Sequence, residues 1–172
     1  MDRDALRALQ APLKERYREA PEDALVTLTA TATLDDDVAC DVRTGRALAK
    51  AGLHPATGGD GSLLCSGDML LEALVACAGV TLRAVATALE IPIEAGTITA
   101  QGELDFRGTL GVDKHAPVGF AGIALRFDVV APDADDEQLA TLLKLTERYC
   151  VVLQTLRTAP TLTAQLKTAG QG

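Results

Sequence analysis

Residues 66–90 read SGDMLLEALVACAGVTLRAVATALE and contain the most apolar segment of this sequence, Met69 to Leu89. Spaced at about 100° per residue, the apolar side chains fall on one broad face, which is the pattern of an amphipathic helix. Ser66 or Asp68 can cap the start of this helix, and Pro92 ends it because proline lacks the backbone N–H that a helix uses. The apolar face comprises Leu70, Leu71, Leu74, Val75, Ala78, Leu82, Val85 and Leu89. A helix of this length spans a whole domain, so we expect it to be the central helix.

Segments of alternating polarity lie on both sides of the central helix and predict β-strands. They cover residues 25–34, 38–42, 96–106, 121–130 and 161–166, and a turn at 35–37 joins the first two as a hairpin. A second long helix begins at the acidic turn 133–137 and carries Cys150 and Leu153 on its inward stripe. The sequence thus predicts strands and a second helix around one central helix.

We expect a single domain over residues 22–168, preceded by a helical extension over residues 1–21. Apolar residues at helical spacing run through the extension, and Pro21 stops it. With 172 residues, 48% hydrophobic and 3% aromatic side chains, the composition is that of one compact soluble domain with an aliphatic core.

The charge balance argues against several classes of partner. Lys and Arg number 16 against 24 Asp and Glu, which gives a formal net charge of −8, and Trp is absent. Such a chain has neither a basic face for phosphates nor a large aromatic surface for stacking bases. Glu72 and Arg83 interrupt the apolar helix, and the N-terminus opens with charged residues instead of an apolar secretory segment. We therefore expect no nucleic acid, no membrane and a cytoplasmic location.

Four cysteines, Cys40, Cys65, Cys77 and Cys150, are the candidates for chemistry. Cys77 and Cys150 lie on or beside the apolar faces of the two interior helices, so they can meet if those helices pack. Free cysteine usually behaves as a small buried hydrophobe, so a purely structural role is the alternative. Cys65 competes with Cys77 as nucleophile because it precedes a helix start, where unpaired amides favour a thiolate. Cys40 alternates with apolar strand residues and is expected in the core.

A reactive thiol at Cys77 needs a cation from elsewhere in the fold, since this residue lies too far into its helix for the N-terminal dipole to act. The candidate cations are Arg43, Arg46, Arg148 and Arg157. No two cysteines form a C-x-x-C pair, and the only histidines are His54 and His115. The loop 58–61 lacks the glycine spacing of a phosphate-binding motif. We therefore expect neither a metal nor a cofactor.

The run CSGDMLLEALVACAGVTL at 65–82, followed by ERYCVV at 147–152, resembles the OsmC/Ohr family of organic-hydroperoxide-handling proteins. The likeness extends over 25–166 as an order of elements: strands, a long helix with a cysteine at its middle, strands, and a second helix that ends in a cysteine. The resemblance implies an α+β fold in which two subunits form an intertwined homodimer. Antiparallel sheets would enclose the long buried central helices, and two sites would lie at the subunit interface.

In this resemblance Cys77 matches the peroxidatic cysteine of the family, and Cys150 matches its resolving cysteine. The implied function is a thiol-dependent peroxidase that reduces a small organic hydroperoxide to an alcohol. A disulfide between the two cysteines then forms, and an external dithiol reduces it. An aliphatic site favours apolar hydroperoxides over hydrogen peroxide, because only they gain from burying hydrocarbon.

The sequence departs from the family pattern around the group that activates the thiolate. The family carries a Glu ten residues before the first cysteine, which steers the catalytic Arg; here that place is Gly67, with Asp68 beside it as a substitute. Arg43 or Arg46 corresponds to the family Arg by position only. The alternative to a peroxidase is a non-catalytic protein that binds a small apolar ligand at the dimer interface. For the peroxidase, the expected site comprises Cys77, Cys150, Asp68 and one of Arg43 and Arg46.

Overall fold

The computed structural model describes residues 2–5, 7–8, 11, 19, 30–34, 39–44, 47–111 and 113–167, with the backbone alone over 30–49. Outside these residues lie part of the strand predicted at 25–34, the turn at 35–37, Arg46 and most of the extension predicted at 1–21. Within the described part of the extension, residues 3–5 and 7–8 are helical. Arg3 forms an ion pair with Glu90, the residue that follows the central helix.

The central helix, α1, spans Ser66–Leu89, close to the predicted bounds. Its N-cap is Cys65, whose side chain makes no capping hydrogen bond, so the prediction of Ser66 or Asp68 as the cap is wrong. Cys65 still has an extended backbone because it pairs with the neighbouring strand, and the helix therefore begins directly after it. The buried residues of α1 are Leu74, Ala78, Leu82, Val85 and Ala86. Four of these five belong to the predicted apolar face.

Four strands form the N-terminal sheet, in the order β1 (Ala30–Leu34), β2 (Ala39–Thr44), β3 (Ala47–Gly52) and β4 (Leu64–Cys65). β1 and β2 pair antiparallel, as the predicted hairpin requires. β3 pairs antiparallel with β2, and β4 pairs in parallel with β3. The sequence analysis missed β3 because its residues, ALAKAG, have low β-propensity and owe their conformation to their partner strand.

The second sheet consists of β5 (Ala95–Leu104) and β6 (Phe120–Val130), which pair antiparallel close to their predicted bounds. Alternate side chains are more buried along both strands, the period expected of a sheet with one face against the core. A four-residue helix, α2 (Phe106–Thr109), opens the connection between the strands. Asp105 caps it by accepting a hydrogen bond from the backbone N–H of Arg107.

Two helices, α3 (Asp136–Tyr149) and α4 (Val151–Arg157), replace the single helix that the sequence predicts. Asp135 and Gln138 form a capping box at the start of α3, each side chain accepting a hydrogen bond from the backbone of the other. The predicted helix continues through Cys150, whereas the structure breaks there, at φ −71° and ψ 105°. The N–H of Cys150 donates the last backbone hydrogen bond of α3, to the carbonyl of Thr146. The carbonyl of Cys150 accepts the first backbone hydrogen bond of α4, from the N–H of Gln154. Cys150 therefore lies at a helix junction.

The strand predicted at 161–166 does not form in the single chain. Residues 159–167 belong to no helix or strand, and Leu162 and Leu166 are 83% and 92% exposed. An isolated strand leaves its backbone groups unpaired, and the described part of this chain offers this segment no neighbouring strand. The alternating pattern was recognised correctly, but the prediction of a strand is wrong for the subunit alone.

Two apolar clusters pack along α1. The first joins its C-terminal half to α3 through Leu82, Val85, Ala86, Ile91 and Leu142, and the second surrounds its middle through Leu74, Ala78 and Cys150. β5 and β6 cover the second cluster with Ile98, Ala100, Ile123, Leu125 and Phe127. By length and composition α1 is the one helix in the described ranges that could cross a membrane, but this packing is that of a core helix. The antiparallel strands against a central helix confirm the predicted α+β fold.

Candidate functional site

Cys77 and Cys150 meet where the middle of α1 packs against the junction of α3 and α4. Cys150 is completely buried, whereas Cys77 is half-buried, and both are free cysteines. Cys77 packs against the apolar cluster that Cys150 forms with Leu74 and Ala78. The structure thus brings together the two cysteines that the sequence singles out, in a setting of otherwise apolar side chains.

The break at Cys150 directs polar backbone groups at the Cys77 sulfur. The first amides of a helix lack partners within it, and here the N–H groups of Val151 and Val152, the first two residues of α4, act to lower the pKa of Cys77. A continuous helix would have used both amides in its own ladder. The junction therefore supplies the sulfur with donors that helical periodicity gives no reason to expect.

The two thiols have pKa values shifted in opposite directions. Burial raises the pKa of Cys77, but hydrogen bonds from the N–H of Val152, the Cys150 thiol, the Thr81 hydroxyl and the N–H of Val151 outweigh it, so the pKa falls below its ordinary value. Burial raises the pKa of Cys150, and the neighbouring Cys77 raises it further against the opposing N–H of Leu153. Cys77 is therefore the thiol that ionises first, and Cys150 stays protonated beside it.

None of the charged side chains in the described residues contributes to the lowered pKa of Cys77. Arg148 lies over the ring of Tyr149, with its guanidinium carbon 5.6 Å from the ring centre. Arg157 is paired with Glu147 at 3.0 Å. Two of the four candidate arginines thus have partners other than the sulfur.

The other two candidate arginines, Arg43 and Arg46, belong to the N-terminal part of the chain. The backbone of Arg43 lies in β2, opposite Thr31 and Leu48, and its side chain is outside the description, as is the whole of Arg46. Asp68 is exposed in the first turn of α1. It precedes Cys77 by nine residues, which at 100° per residue places it on the opposite side of the helix. The structure does not bring Asp68 to the sulfur within one chain.

The two histidines and Cys65 lie apart from the thiol pair. His54 stacks on Phe106 with ring centres 4.9 Å apart, and its Nδ1 accepts a hydrogen bond from the N–H of Ala56. His115 is exposed in the connection between β5 and β6. Cys65 is half-buried at the start of α1. No group of three His, Cys, Asp or Glu side chains in the described ranges could hold a metal ion.

A half-open cavity of about 880 Å³ lies beside the apolar cluster that contains Cys150, and neither Cys77 nor Cys150 lines it. Leu74, Leu125 and Leu153 belong both to its wall and to the cluster around Cys150. Its remaining walls are mainly apolar, with Leu70, Leu143, Leu156 and Phe120, and also include Arg126. The ion pair between Glu147 and Arg157 also lines it. The cavity is large enough for a small organic molecule, and its lining suits an apolar one.

The sequence analysis missed Thr81 and the amides of Val151 and Val152. Thr81 follows Cys77 by four residues, a spacing that places two side chains side by side on a helix, so it could have been found. The two amides carry no signal in the sequence, because their availability depends on the helix break at Cys150.

A family model and solved structures both relate this chain to OsmC-like proteins. Residues 59–165 match the family model described as OsmC-like protein. The structure is similar to an OsmC-like protein from Mycoplasma pneumoniae, with a TM-score of 0.65 and 19% identity over 78% of this chain and 89% of that one. A comparison with curated proteins gave no match.

Two further structural neighbours have the words organic hydroperoxide resistance protein in their descriptions. One, OsmC from Legionella pneumophila, has a TM-score of 0.58 and 21% identity over 78% of this chain and 91% of that one. The other, OhrB of Bacillus subtilis, has a TM-score of 0.53 and 20% identity over 78% of this chain and 93% of that one. At these identities the likeness shows a shared fold.

Proposed function

The chain belongs to the OsmC-like protein family, and from this we propose that it is a thiol-dependent peroxidase that reduces organic hydroperoxides to alcohols. The observation that carries the proposal is the contact between Cys77 and Cys150, with the pKa of the first lowered and that of the second raised. The attacking cysteine must be a thiolate, and the resolving cysteine must lie beside it as a neutral thiol. Structural neighbours described as organic hydroperoxide resistance proteins support the same reaction.

In the proposed first step, the Cys77 thiolate attacks the distal oxygen of the hydroperoxide. An S–O bond forms as the O–O bond breaks, and the departing alkoxide takes up a proton and leaves as the alcohol. Cys77 is thereby oxidised to a sulfenic acid. The Cys150 sulfur then attacks the Cys77 sulfur, so that a disulfide forms and water leaves. An external dithiol reduces this disulfide through two thiol–disulfide exchanges and is itself oxidised.

The proposed functional unit is a homodimer. Ala73, Ala76 and Val80 form a strip on α1 that the chain leaves exposed, and Val80 is 73% exposed. The N-terminal sheet packs on α1 chiefly through β4 in the described part of the chain. Leu162 and Leu166 extend from the subunit without cover. An intertwined second copy would bury all three surfaces.

The dimer also offers a source for the missing cation. Cys77 is half-buried and directly follows Ala76, a residue of the exposed strip. A partner subunit that covers the strip therefore approaches the Cys77 sulfur. The backbone of Arg43 lies in β2, and Arg46 follows three positions later in the sequence; in the proposed dimer one of the two reaches the Cys77 of the other subunit. Asp68 would then act on that arginine instead of on the sulfur.

The cavity favours apolar substrates. Its aliphatic and aromatic walls stabilise a bound hydrocarbon by about 25 cal/mol for each Å² removed from water, a gain that hydrogen peroxide does not share.

We assign the catalytic domain to residues 22–168 and treat residues 1–21 as an extension tied to the end of α1 through Arg3 and Glu90. The reducing cytoplasm suits a thiol pair that is reduced again after each turnover.

The cavity also favours a second candidate function, the binding of a small apolar ligand without chemistry. Its volume of about 880 Å³ lies in the range of small-molecule sites. In that case the buried cysteines would serve as small hydrophobic residues.

Thiol counting separates the two functions. The reduced protein is incubated with cumene hydroperoxide, and free thiols are titrated and mapped by mass spectrometry. The peroxidase loses two of its four thiols per subunit and gains a disulfide between Cys77 and Cys150. A Cys65→Ser variant serves as the control and still loses two. Four unchanged thiols in the folded protein, together with saturable binding of the peroxide, would instead establish the binding protein.

A further inference from the structure

The helix break at Cys150 has no local cause in the sequence. Residues 146–157 read TERYCVVLQTLR and contain neither proline nor glycine, which are common causes of a kink in a helix. A continuous helix would carry a hydrogen bond from the N–H of Val151 to the carbonyl of Glu147, four positions earlier. Instead, α3 ends at Tyr149 and α4 begins at Val151, with Cys150 extended between them. The carbonyl of Glu147 is therefore open to another donor.

Gln154 supplies that donor from its side chain. Its Nε2 donates a hydrogen bond to the carbonyl oxygen of Glu147 at 2.7 Å. Its own backbone N–H donates to the carbonyl of Cys150 at 2.9 Å, which is the first backbone hydrogen bond of α4. Insertion of a side chain into the hydrogen-bond ladder is a known cause of a sharp helix bend. Gln154 thus takes the place that the amide of Val151 has in a continuous helix.

Arg157 contacts the same residue of α3 a second time. Its Nη2 lies 3.0 Å from Oε1 of Glu147, and its Nη1 lies 3.4 Å from Oε2. A contact of this kind, with two nitrogens on two oxygens, fixes the direction of the pair as well as its distance. Arg157 follows Gln154 by three residues, so the two side chains leave the same side of α4. Glu147 is therefore held by α4 through its carbonyl and its carboxylate at once.

The angle between α3 and α4 decides how Cys150 is buried. Gln154 and Arg157 are exposed, whereas Cys150 is completely buried and clusters with residues of α1. Val152 and Leu153 of α4 pack against the same cluster. Because Cys150 joins the two helices, both of them must keep their directions for this packing to persist. The two contacts with Glu147 span the junction and oppose a change in that angle.

We propose that Gln154 and Arg157 are positioning residues, which hold the helix break through Glu147 and thereby keep the Cys150 thiol buried beside Cys77. Their effect on the burial of Cys150 requires no reaction. Their effect on turnover rests on the proposed peroxidase function: a looser junction delays the attack of Cys150 on the Cys77 sulfenic acid. Dimedone, which labels sulfenic acids, would then trap more of the oxidised Cys77 during turnover.

The test is the rate at which iodoacetamide alkylates Cys150 in the intact chain, read at its peptide by mass spectrometry. Gln154→Met removes the donor and keeps the length and helix propensity of the side chain, and Gln154→Lys restores a donor. Thr155→Met, at the next exposed position of α4, is the matched control. We expect Gln154→Met to raise the rate by about two- to tenfold, the factor that follows from the loss of one hydrogen bond. Gln154→Lys and Thr155→Met keep the parent rate.

An unchanged Cys150 rate in Gln154→Met would overturn the inference. An equal rise at Cys65, which precedes α1, would also overturn it, because it would report a general loosening of the fold. Thermal melting identifies a variant that does not fold, and Arg157→Met, which we expect to act in the same direction, then carries the comparison.

This inference and the peroxidase fail separately, since alkylation requires no peroxide. Faster labelling of Cys150 in a Gln154→Met protein whose parent does not consume hydroperoxide would leave the positioning role standing and refute the peroxidase. Hydroperoxide turnover by the parent, with unchanged labelling of Cys150 in Gln154→Met, would do the reverse.

Discussion

Cys77 packs against the buried cluster that contains Cys150, although the two cysteines lie 73 positions apart in the sequence. The contact depends on a helix break, because Cys150 ends α3 and begins α4 at the level of the middle of α1. The same break leaves the amides of Val151 and Val152 free to face the Cys77 sulfur. One local feature thus both positions the second thiol and lowers the pKa of the first.

Replacing each cysteine in turn distinguishes their roles. We expect Cys77→Ser to lose hydroperoxide reduction, by at least about 100-fold, because the nucleophile is absent. Cys150→Ser should complete one turnover and stop, leaving a sulfenic acid at Cys77 that dimedone labels. Stopped-flow consumption of peroxide and mass spectrometry of the adduct check both outcomes. Cys65→Ser is the control and keeps full activity; an equal loss in that variant would contradict the assignment.

The opposite pKa shifts predict that Cys77 reacts with alkylating agents at lower pH than Cys150 does. The pKa of Cys77 is lowered and that of Cys150 is raised, so on raising the pH Cys77 ionises and alkylates first. Cys150→Ala removes one donor to the sulfur, so the alkylation profile of Cys77 should move to higher pH. Peptide-resolved alkylation from pH 5 to 10 measures both profiles. Faster labelling of Cys150 than of Cys77 at neutral pH would refute the order of ionisation.

Thr146 predicts a stabilising substitution. Its side chain is completely buried, and its hydroxyl oxygen has no hydrogen-bond partner in the described chain. A buried hydroxyl without a partner costs about 1–3 kcal/mol, and valine has nearly the same shape without the polar atom. We expect Thr146→Val to raise the melting temperature by about 2–4 °C for each kcal/mol that the unpaired hydroxyl costs. Thr141→Val, exposed on the same helix, should leave it unchanged. A lowered melting temperature in Thr146→Val would mean that the hydroxyl has a partner.

Two neighbouring leucines of α3 lie in different environments, one in the core and the other in the cavity wall. Leu142 is 2% exposed in the core, whereas Leu143 is 43% exposed and lines the cavity. Leu142→Ala should lower the free energy of unfolding by about 2–5 kcal/mol, because it leaves a cavity in a packed cluster. Leu143→Ala should lower it by less than about 1 kcal/mol. Urea unfolding measures both, and equal losses would argue against the assigned burial.

The exposed strip of α1 predicts the effect of a charge on the homodimer. Val80 is 73% exposed in the single chain and would be buried between the central helices of an intertwined dimer. An unpaired carboxylate is strongly unfavourable in a buried interface, so Val80→Glu should dissociate the dimer. Light scattering reports the mass, and Ala140→Glu on the exposed side of α3 is the control. A parent protein of monomeric mass, or an unaffected dimer in Val80→Glu, would exclude this interface.

Much of the fold followed from local patterns in the chain. Helical spacing of apolar residues predicted α1 almost to its ends, and alternation predicted β5 and β6 closely. These predictions succeed because each pattern repeats within one element and reports which side of it faces the core. The strand β3 was not predicted, because its small residues carry no such pattern. The strand predicted at 161–166 has no neighbouring strand to pair with in the described part of the chain.

The amino-acid sequence by itself determined most of α1, β5 and β6, and it offered Cys77 and Cys150 as candidate thiols. Those conclusions depend on periodicity and on residue type, which are properties of neighbouring positions, whereas the α+β class and the roles of the two cysteines were implied by the resemblance to the OsmC/Ohr family. Only the tertiary structure decided that helix α3 stops at Cys150 and that polar groups of the junction lower the pKa of Cys77. A thiol pKa depends on the polar groups within a few ångströms in space, and packing between distant segments selects those groups.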